Sequence, residues 1–270
     1  MKLEFHNNKP FIEGVVQIKE SELPVKLLID SGGSDALWLF EDSEKGINTP
    51  EKYFEDFLGR GLSGSVYGKR SKVQGMRFDD FRLKNVNVAF PDSSSISFAR
   101  KVKDRNGSIG GEILRRFNVI FDYKNSKIVF KKNKNFSAPF YYNKSGIVLE
   151  HNGVRMVREQ NKRIERNVET SYGNQVIGGS AVKINLAATY KHVLAPSFEI
   201  VELRKGSPAE RAGLKLGDVV LRINQKDTHE YSIQQITQIF YGEDGKRIRM
   251  VVDRNGIQMK FSFLLENLLK

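Results

Sequence analysis

The segment Leu27-Leu28-Ile29-Asp30-Ser31-Gly32-Gly33-Ser34 joins three apolar residues to a carboxylate at the head of a small-residue turn. An apolar strand of this kind carries Asp30 toward the interior, where desolvation and neighbouring charges shift proton affinity. Ser31 supplies a hydroxyl that can brace the loop, Gly32 lets backbone N–H groups approach the carboxylate, and Gly33 and Ser34 complete the turn. Two such carboxylates about 3 Å apart cannot both ionise; they share a proton. Such a pair activates a water and protonates a leaving amine. An Asp-Ser-Gly tripeptide alone is a weak signal that also fits a surface Asx-type turn after a core strand.

Other chemistries find little support. The 270 residues include no cysteine, which removes disulfides, thiol nucleophiles and cysteine metal sites together. His6, His151, His192 and His229 show no zinc-binding spacing, and no G-x-S-x-G elbow occurs. No metal and no cofactor are expected. Gly59-Arg60-Gly61-Leu62-Ser63-Gly64 is formally G-x-G-x-x-G, but the expected order is a helical segment before it and a β-like one after it, the reverse of a dinucleotide site. The net charge of +12 is regional: residues 1–50 carry 5 Lys/Arg against 9 Asp/Glu, residues 101–150 carry 11 against 4. These runs read as solvated faces, with attraction to acidic polymers or membranes through Lys101–Lys134 as a lesser reading. No nucleic-acid module is visible, so no specific nucleic-acid partner is expected. No apolar run approaches the roughly 18–20 residues that cross a membrane, and Met1–His6 lacks the apolar core of a signal peptide.

The elements that must position Asp30 are mostly strands. Phe11–Lys19 and Pro24–Ile29 pair around Glu20-Ser21-Glu22, while Val66–Met76 and Phe81–Phe90 alternate. Ile113–Arg116 reads as a short helix, and Asn118–Asp122 and Lys127–Lys131 as a hairpin turning at Lys124-Asn125-Ser126. Glu51–Leu58 reads as a helical turn. A polar, basic hinge follows, with the boundary drawn as 1–135, a hinge at 136–144, and a second unit at 145–270. In that unit Ser145–Leu149 is a strand, about 152–191 a polar insertion, and Ser232–Phe240 a helix with Ile233, Ile236 and Phe240 on one face.

Leu28-Ile29-Asp30-Ser31-Gly32-Gly33-Ser34 resembles the hallmark of the aspartic peptidase superfamily, with Ser for the commoner Thr and Gly for the commoner Ala. Gly61-Leu62-Ser63-Gly64-Ser65-Val66-Tyr67-Gly68 sits where such enzymes place the flap, a Gly-rich hairpin that closes on substrate. Asn106–Phe117, centred on Ile109-Gly110, resembles the second hallmark, a turn entering a short helix. The Asp motif occurs once, whereas two-lobed relatives carry it twice. The resemblance therefore implies a retropepsin-like β-barrel domain that works as a homodimer, each chain donating one Asp30 across a two-fold axis.

A second resemblance is carried by Lys205-Gly206-Ser207-Pro208-Ala209-Glu210-Arg211-Ala212-Gly213-Leu214-Lys215-Leu216-Gly217-Asp218-Val219. It is similar to a PDZ domain of the bacterial, permuted kind. Ser207 fits a helix cap, Pro208 its first turn and Gly213 its stop; Asp218 fits a turn or strand cap. The resemblance implies a peptide-binding edge at Gly146, Ile147, Val148 and Leu149, faced by Ile233 and Ile236, which are equally explained as core. The expected fold is thus mainly β: a retropepsin-like domain, then a β-rich PDZ domain with two short helices. The implied function is an aspartic endopeptidase taking peptides or unfolded protein outside the cytoplasm. The rival is an inactive lobe used for dimerisation, with function carried by the PDZ domain.

Overall fold

The Asp30 turn sits at the centre of an eight-stranded sheet in the computed structural model, which describes residues 1–61, 64–97, 99, 102, 104–160 and 190–269. The chain is mainly β. Strands β1 (Glu4–His6), β2 (Lys9–Ile18), β3 (Ser21–Ile29) and β4 (Leu37–Leu39) precede a long hairpin of β5 (Phe54–Gly61) and β6 (Gly64–Phe78). Strands β7 (Phe81–Pro91) and β8 (Arg105–Ile109), helix α1 (Gly111–Leu114), and the hairpin β9 (Phe117–Asp122) and β10 (Lys127–Lys132) complete the first unit. The sheet order is β1-β2-β3-β8-β4-β7-β6-β5, so β8 runs between the two strands that the Asp30 turn connects. It lies parallel to β3 and antiparallel to β4.

Leu27, Ile29, Leu37 and Ile109 are buried together in the first core. At one end of that core Phe117 packs edge-on against Phe81 at 4.9 Å and Phe130 at 5.3 Å between ring centroids. The expected turn between β2 and β3 falls one residue earlier, on Lys19-Glu20, with Lys19 in the left-handed region at φ +56°.

The expected helical turn at Glu51–Leu58 is not formed: Phe54–Leu58 belong to β5 and Glu51–Tyr53 precede it. Phe54 and Leu58 lie four residues apart, a spacing that shares one face in a helix and in a strand alike. Pairing with β6, from Phe54↔Arg70 to Gly61↔Gly64, decides for the strand.

Residues 136–144, expected as a hinge, are held by side chains from both units. The buried guanidinium of Arg116 donates to the carbonyls of Asn135, Phe136, Ala138 and Pro139 and stacks on the Phe140 ring at 3.6 Å. From the other end the Tyr142 hydroxyl donates to Asn267 Oδ1 at 2.6 Å, and Lys144 Nζ donates to the carbonyls of Tyr241 and Gly242. Arg116 and Lys144 therefore do not belong to a solvated basic face; both are buried because backbone carbonyls replace their water.

The second unit consists of β11 (Ile147–Gln160), β12 (Tyr190–Leu203), α2 (Pro208–Arg211), β13 (Val219–Ile223), β14 (Lys226–Asp227), α3 (Ile233–Phe240), β15 (Arg247–Arg254) and β16 (Ile257–Leu264). Its sheet runs β11-β12-β13-β15-β16 over a separate core that includes Ile147, Phe198, Ile236 and Phe240. The polar stretch 152–191 is strand at both ends, paired from Val154↔Pro196 to Gln160↔Tyr190; residues 161–189 lie outside the described residues. The Ser207 hydroxyl caps α2 and Gly213, at φ +95°, follows its last turn. Ser232 and Gln235 form a reciprocal capping box at the start of α3. Asp218 is fully buried, gripped by the Arg254 guanidinium at 2.6 and 2.7 Å and by the Lys215 N–H.

Candidate active site and peptide groove

Asp30 leaves β3 with its N–H donated to the Ile109 carbonyl at 2.9 Å. The turn then folds back over its own carboxylate: the N–H groups of Gly32 and Gly33 donate to Asp30 Oδ1 at 3.0 and 3.1 Å. Oδ2 faces Gly33, where a Cβ would stand 3.3 Å away. Backbone N–H groups thus provide the brace, while the Ser31 side chain is exposed.

Ile109-Gly110 holds the turn from beneath. Gly110 N–H donates to Ala36 O at 3.0 Å and Gly111 N–H to Gly33 O at 2.6 Å. A Cβ at Gly110 would lie 2.4 Å from Asp35 O and 2.8 Å from Gly33 O, so only glycine lets β8 approach this closely. The two segments resembling family hallmarks are therefore one hydrogen-bonded unit.

The flap-like segment is the β5–β6 hairpin. Its strands carry Gly61, Gly64, Ser65, Val66, Tyr67 and Gly68, and Leu62 and Ser63 at the tip lie outside the described residues. Its root is tied to the Asp30 turn by charges that the sequence reading missed. Arg70 donates to Asp35 Oδ1 at 2.6 Å and to Asp56 Oδ2 at 2.7 Å. Trp38 Nε1 donates to Asp35 Oδ2 at 2.7 Å, and Arg204, in the second unit, lies 3.5 Å from Asp56 Oδ1. Burial works to lower the Arg70 pKa, but Asp35 and Asp56 outweigh it and hold the guanidinium above its ordinary value. Arg204 moves the other way: burial lowers it, and the more distant Asp56 only partly compensates. A faint signal existed in the lone Trp38 three residues after Asp35.

Contacts from the hairpin also reach the second unit directly. The Tyr67 hydroxyl donates to Glu202 Oε1 at 3.0 Å, which raises the phenol pKa, and Arg60 lies 3.5 Å from Glu150.

A cavity of about 470 Å³ separates the two units. One wall is Gly146–Leu149 and Ile233; the other is Ser34–Leu37 and Asp56–Gly59 of β5. Asp30 does not line it, so the groove touches the far end of the Asp30 turn. Ile236 does not line it either; that side chain is in the core. Gly146 has φ +84° and a Cβ there would meet Ser207 Cβ at 2.2 Å, which explains a glycine at the head of this edge.

Asp227, His229 and Glu230 bring possible metal-ligating atoms within 4.8 Å of one another. Arg222 already binds Asp227 at 2.8 Å and Lys226 lies 3.9 Å from Glu230, so cations of the chain meet these charges. Among the described residues no helix is long and apolar enough to cross a membrane.

Residues 199–254 match the family model of the PDZ domain. The chain is thus a mainly β protein whose second unit carries a PDZ domain. It is 31% identical over 58 residues to the carboxy-terminal processing protease CtpA of Bacillus subtilis, a match covering 22% of this chain and 12% of that protein. Among solved structures, a serine endoprotease from Yersinia pestis is 25% identical over 26% of this chain and 25% of its own, with a TM-score of 0.23. A retropepsin-like aspartic protease from Rickettsia conorii is 15% identical over 46% of this chain and 83% of its own, with a TM-score of 0.32.

Proposed function

We propose that this chain is an aspartic endopeptidase that acts as a homodimer, each copy donating Asp30 to a pair of carboxylates sharing one proton. The observation that carries this reading is the Asp30 turn itself. It spans the end of β8, and two glycine N–H groups aim its carboxylate. The pair polarises a water for attack on a peptide carbonyl and returns a proton to the departing amine. The β5–β6 hairpin closes over the substrate, and the PDZ domain holds a further stretch of the same polypeptide. Residues 1–135 and 145–270 are taken as the peptidase and PDZ units, and 136–144 as the strap joining them. An extracytoplasmic setting follows from the family resemblance.

The test is cleavage of an unfolded protein from acid to neutral pH by the wild type and by Asp30→Asn. The variant is expected to lose at least about 100-fold, the usual share of a positioned acid–base group. Equal cleavage by both chains ends the peptidase assignment, and cleavage by a species that sediments as a monomer ends the paired mechanism. A second reading is favoured by the single Asp motif per chain: a non-catalytic lobe serving assembly, with function carried by the groove beside β11. It predicts no cleavage by either chain.

A further inference from the structure

In PDZ-type recognition an extended peptide adds to a sheet edge, and a nest of backbone N–H groups receives its terminal carboxylate. Strand β11 ends the sheet order of the second unit, so one edge has no strand partner among the described residues. The Gly146 carbonyl turns toward β12, where it accepts from the Arg204 N–H at 2.9 Å. Polar groups alternate sides along a strand. Ile147 therefore presents its N–H and C=O to the open edge.

That edge is already occupied by a side chain. Asn143 Oδ1 accepts from the Ser145 N–H at 3.0 Å, the Gly146 N–H at 3.1 Å and the Ser145 hydroxyl at 2.8 Å. Asn143 Nδ2 donates to the Ile147 carbonyl at 2.6 Å, and the Ile147 N–H donates to Ser145 Oγ at 3.0 Å. The amide oxygen takes the place of a carboxylate oxygen, and the amide nitrogen supplies a donor that a carboxylate lacks.

Nearby charge points the same way. Lys144, the cation next to this nest, is buried and spends its ammonium on the carbonyls of Tyr241 and Gly242. Of the acidic residues on the cavity wall, Asp35 and Asp56 are held by Arg70, with Arg204 also near Asp56, and Glu112 is held by Arg115 and Arg116, so these arginines are already engaged. Among the described residues, an incoming carboxylate finds no free N–H nest and no free cation there.

We propose that the groove between β11 and α3 receives an internal, neutral or basic stretch of extended polypeptide rather than a free C-terminus, because the Asn143 amide fills the carboxylate position. This deepens the reading of the PDZ domain as a substrate-holding module and does not depend on the Asp30 chemistry.

The experiment measures binding by fluorescence anisotropy to the non-cleaving Asp30→Asn chain, using one peptide library in two forms, C-terminally amidated and free acid. The two forms of each binding peptide are expected to agree within about threefold. Asn143→Gly, which frees the N–H groups, is expected to tighten free-acid peptides by about tenfold or more and leave the amides unchanged. Gln238→Trp, at an exposed α3 position lining the cavity, is expected to weaken both forms alike. A free-acid preference above about tenfold with Asn143 in place overturns the proposal. So does failure of every amidated peptide to bind, or binding that Gln238→Trp leaves untouched. A wild-type chain that cleaves nothing, with these affinities intact, would fault only the peptidase reading.

Discussion

In the first unit the carboxylate of Asp30 accepts from the N–H groups of its own turn, while in the second the edge at Ser145–Ile147 is covered by the whole amide of Asn143. Both are turns that aim backbone N–H groups at an oxygen. In the first the oxygen belongs to an ionisable group that keeps a partly exposed face. In the second the oxygen belongs to an amide, which does not titrate. The same local device thus holds a partly exposed carboxylate at one place and covers a strand edge at the other. Between them runs the line Asp35–Arg70–Asp56–Arg204, which makes the Asp30 turn, the root of the β5–β6 hairpin and the PDZ unit neighbours in one network.

The sharpest way to break this comparison is to remove the charge between the two places. Arg70→Met leaves Asp35 and Asp56 without their shared cation and is expected to destabilise the chain by about 3–5 kcal/mol, the usual cost of stranding a buried charge. Denaturant unfolding measures it. The triple change Asp35→Asn, Asp56→Asn, Arg70→Met should recover most of that loss; if it does not, the pairing is not what Arg70 contributes.

Gly110→Ala comes next. Its Cβ must push aside two backbone carbonyls of the Asp30 turn, and a loss of about 2–3 kcal/mol is expected from overpacking. Because the strain falls on the first unit, peptide binding to the folded variant should stay at wild-type affinity. A drop in that affinity would show that the two regions are coupled more tightly than their separate cores suggest.

Alkaline titration gives a smaller effect. Burial raises the pKa of Tyr142 and Tyr241 above the ordinary value of 10.0. The folded chain therefore keeps these protons after the unfolded chain has lost them. Their linkage lowers stability as pH rises from about 10 through the folded values. Absorbance of phenolate should show both tyrosines titrating late in the wild type, and Tyr142→Phe should flatten part of the stability loss.

The smallest change is Tyr67→Phe. Its hydroxyl bond to Glu202 joins the β5–β6 hairpin and the PDZ unit at the surface, and losing it is expected to cost under about 1 kcal/mol. A larger cost would make this contact, rather than Arg70, the main tie between the regions.

Much of this was readable from local pattern. Alternation located β6 and β7, the Asn125-Ser126 turn located the last hairpin of the first unit, and Ser207-Pro208 with Gly213 bounded α2. These features rest on forces acting within a few residues, so spacing reports them. Glu51–Leu58 was misread because a four-residue apolar interval suits helix and strand equally, and only β6, beyond the turn, resolves it. Arg116 and Lys144 looked like surface charge because composition says nothing about carbonyls drawn in from distant residues.

By itself the sequence determined that Asp30 stands at the end of an apolar strand, followed by residues small enough to fold N–H groups onto it, and that a PDZ-like helix and turn come later. Tertiary structure alone decided the rest. Threading β8 between β3 and β4 brings Gly110 under the Asp30 turn, although the two are eighty positions apart. Packing the units together hands Asp56 both Arg70 and Arg204. Local propensity acts through neighbours in the chain, whereas ion pairs and close backbone approaches depend on distance in space. That is why the turn was visible in the residues, and the network holding it was not.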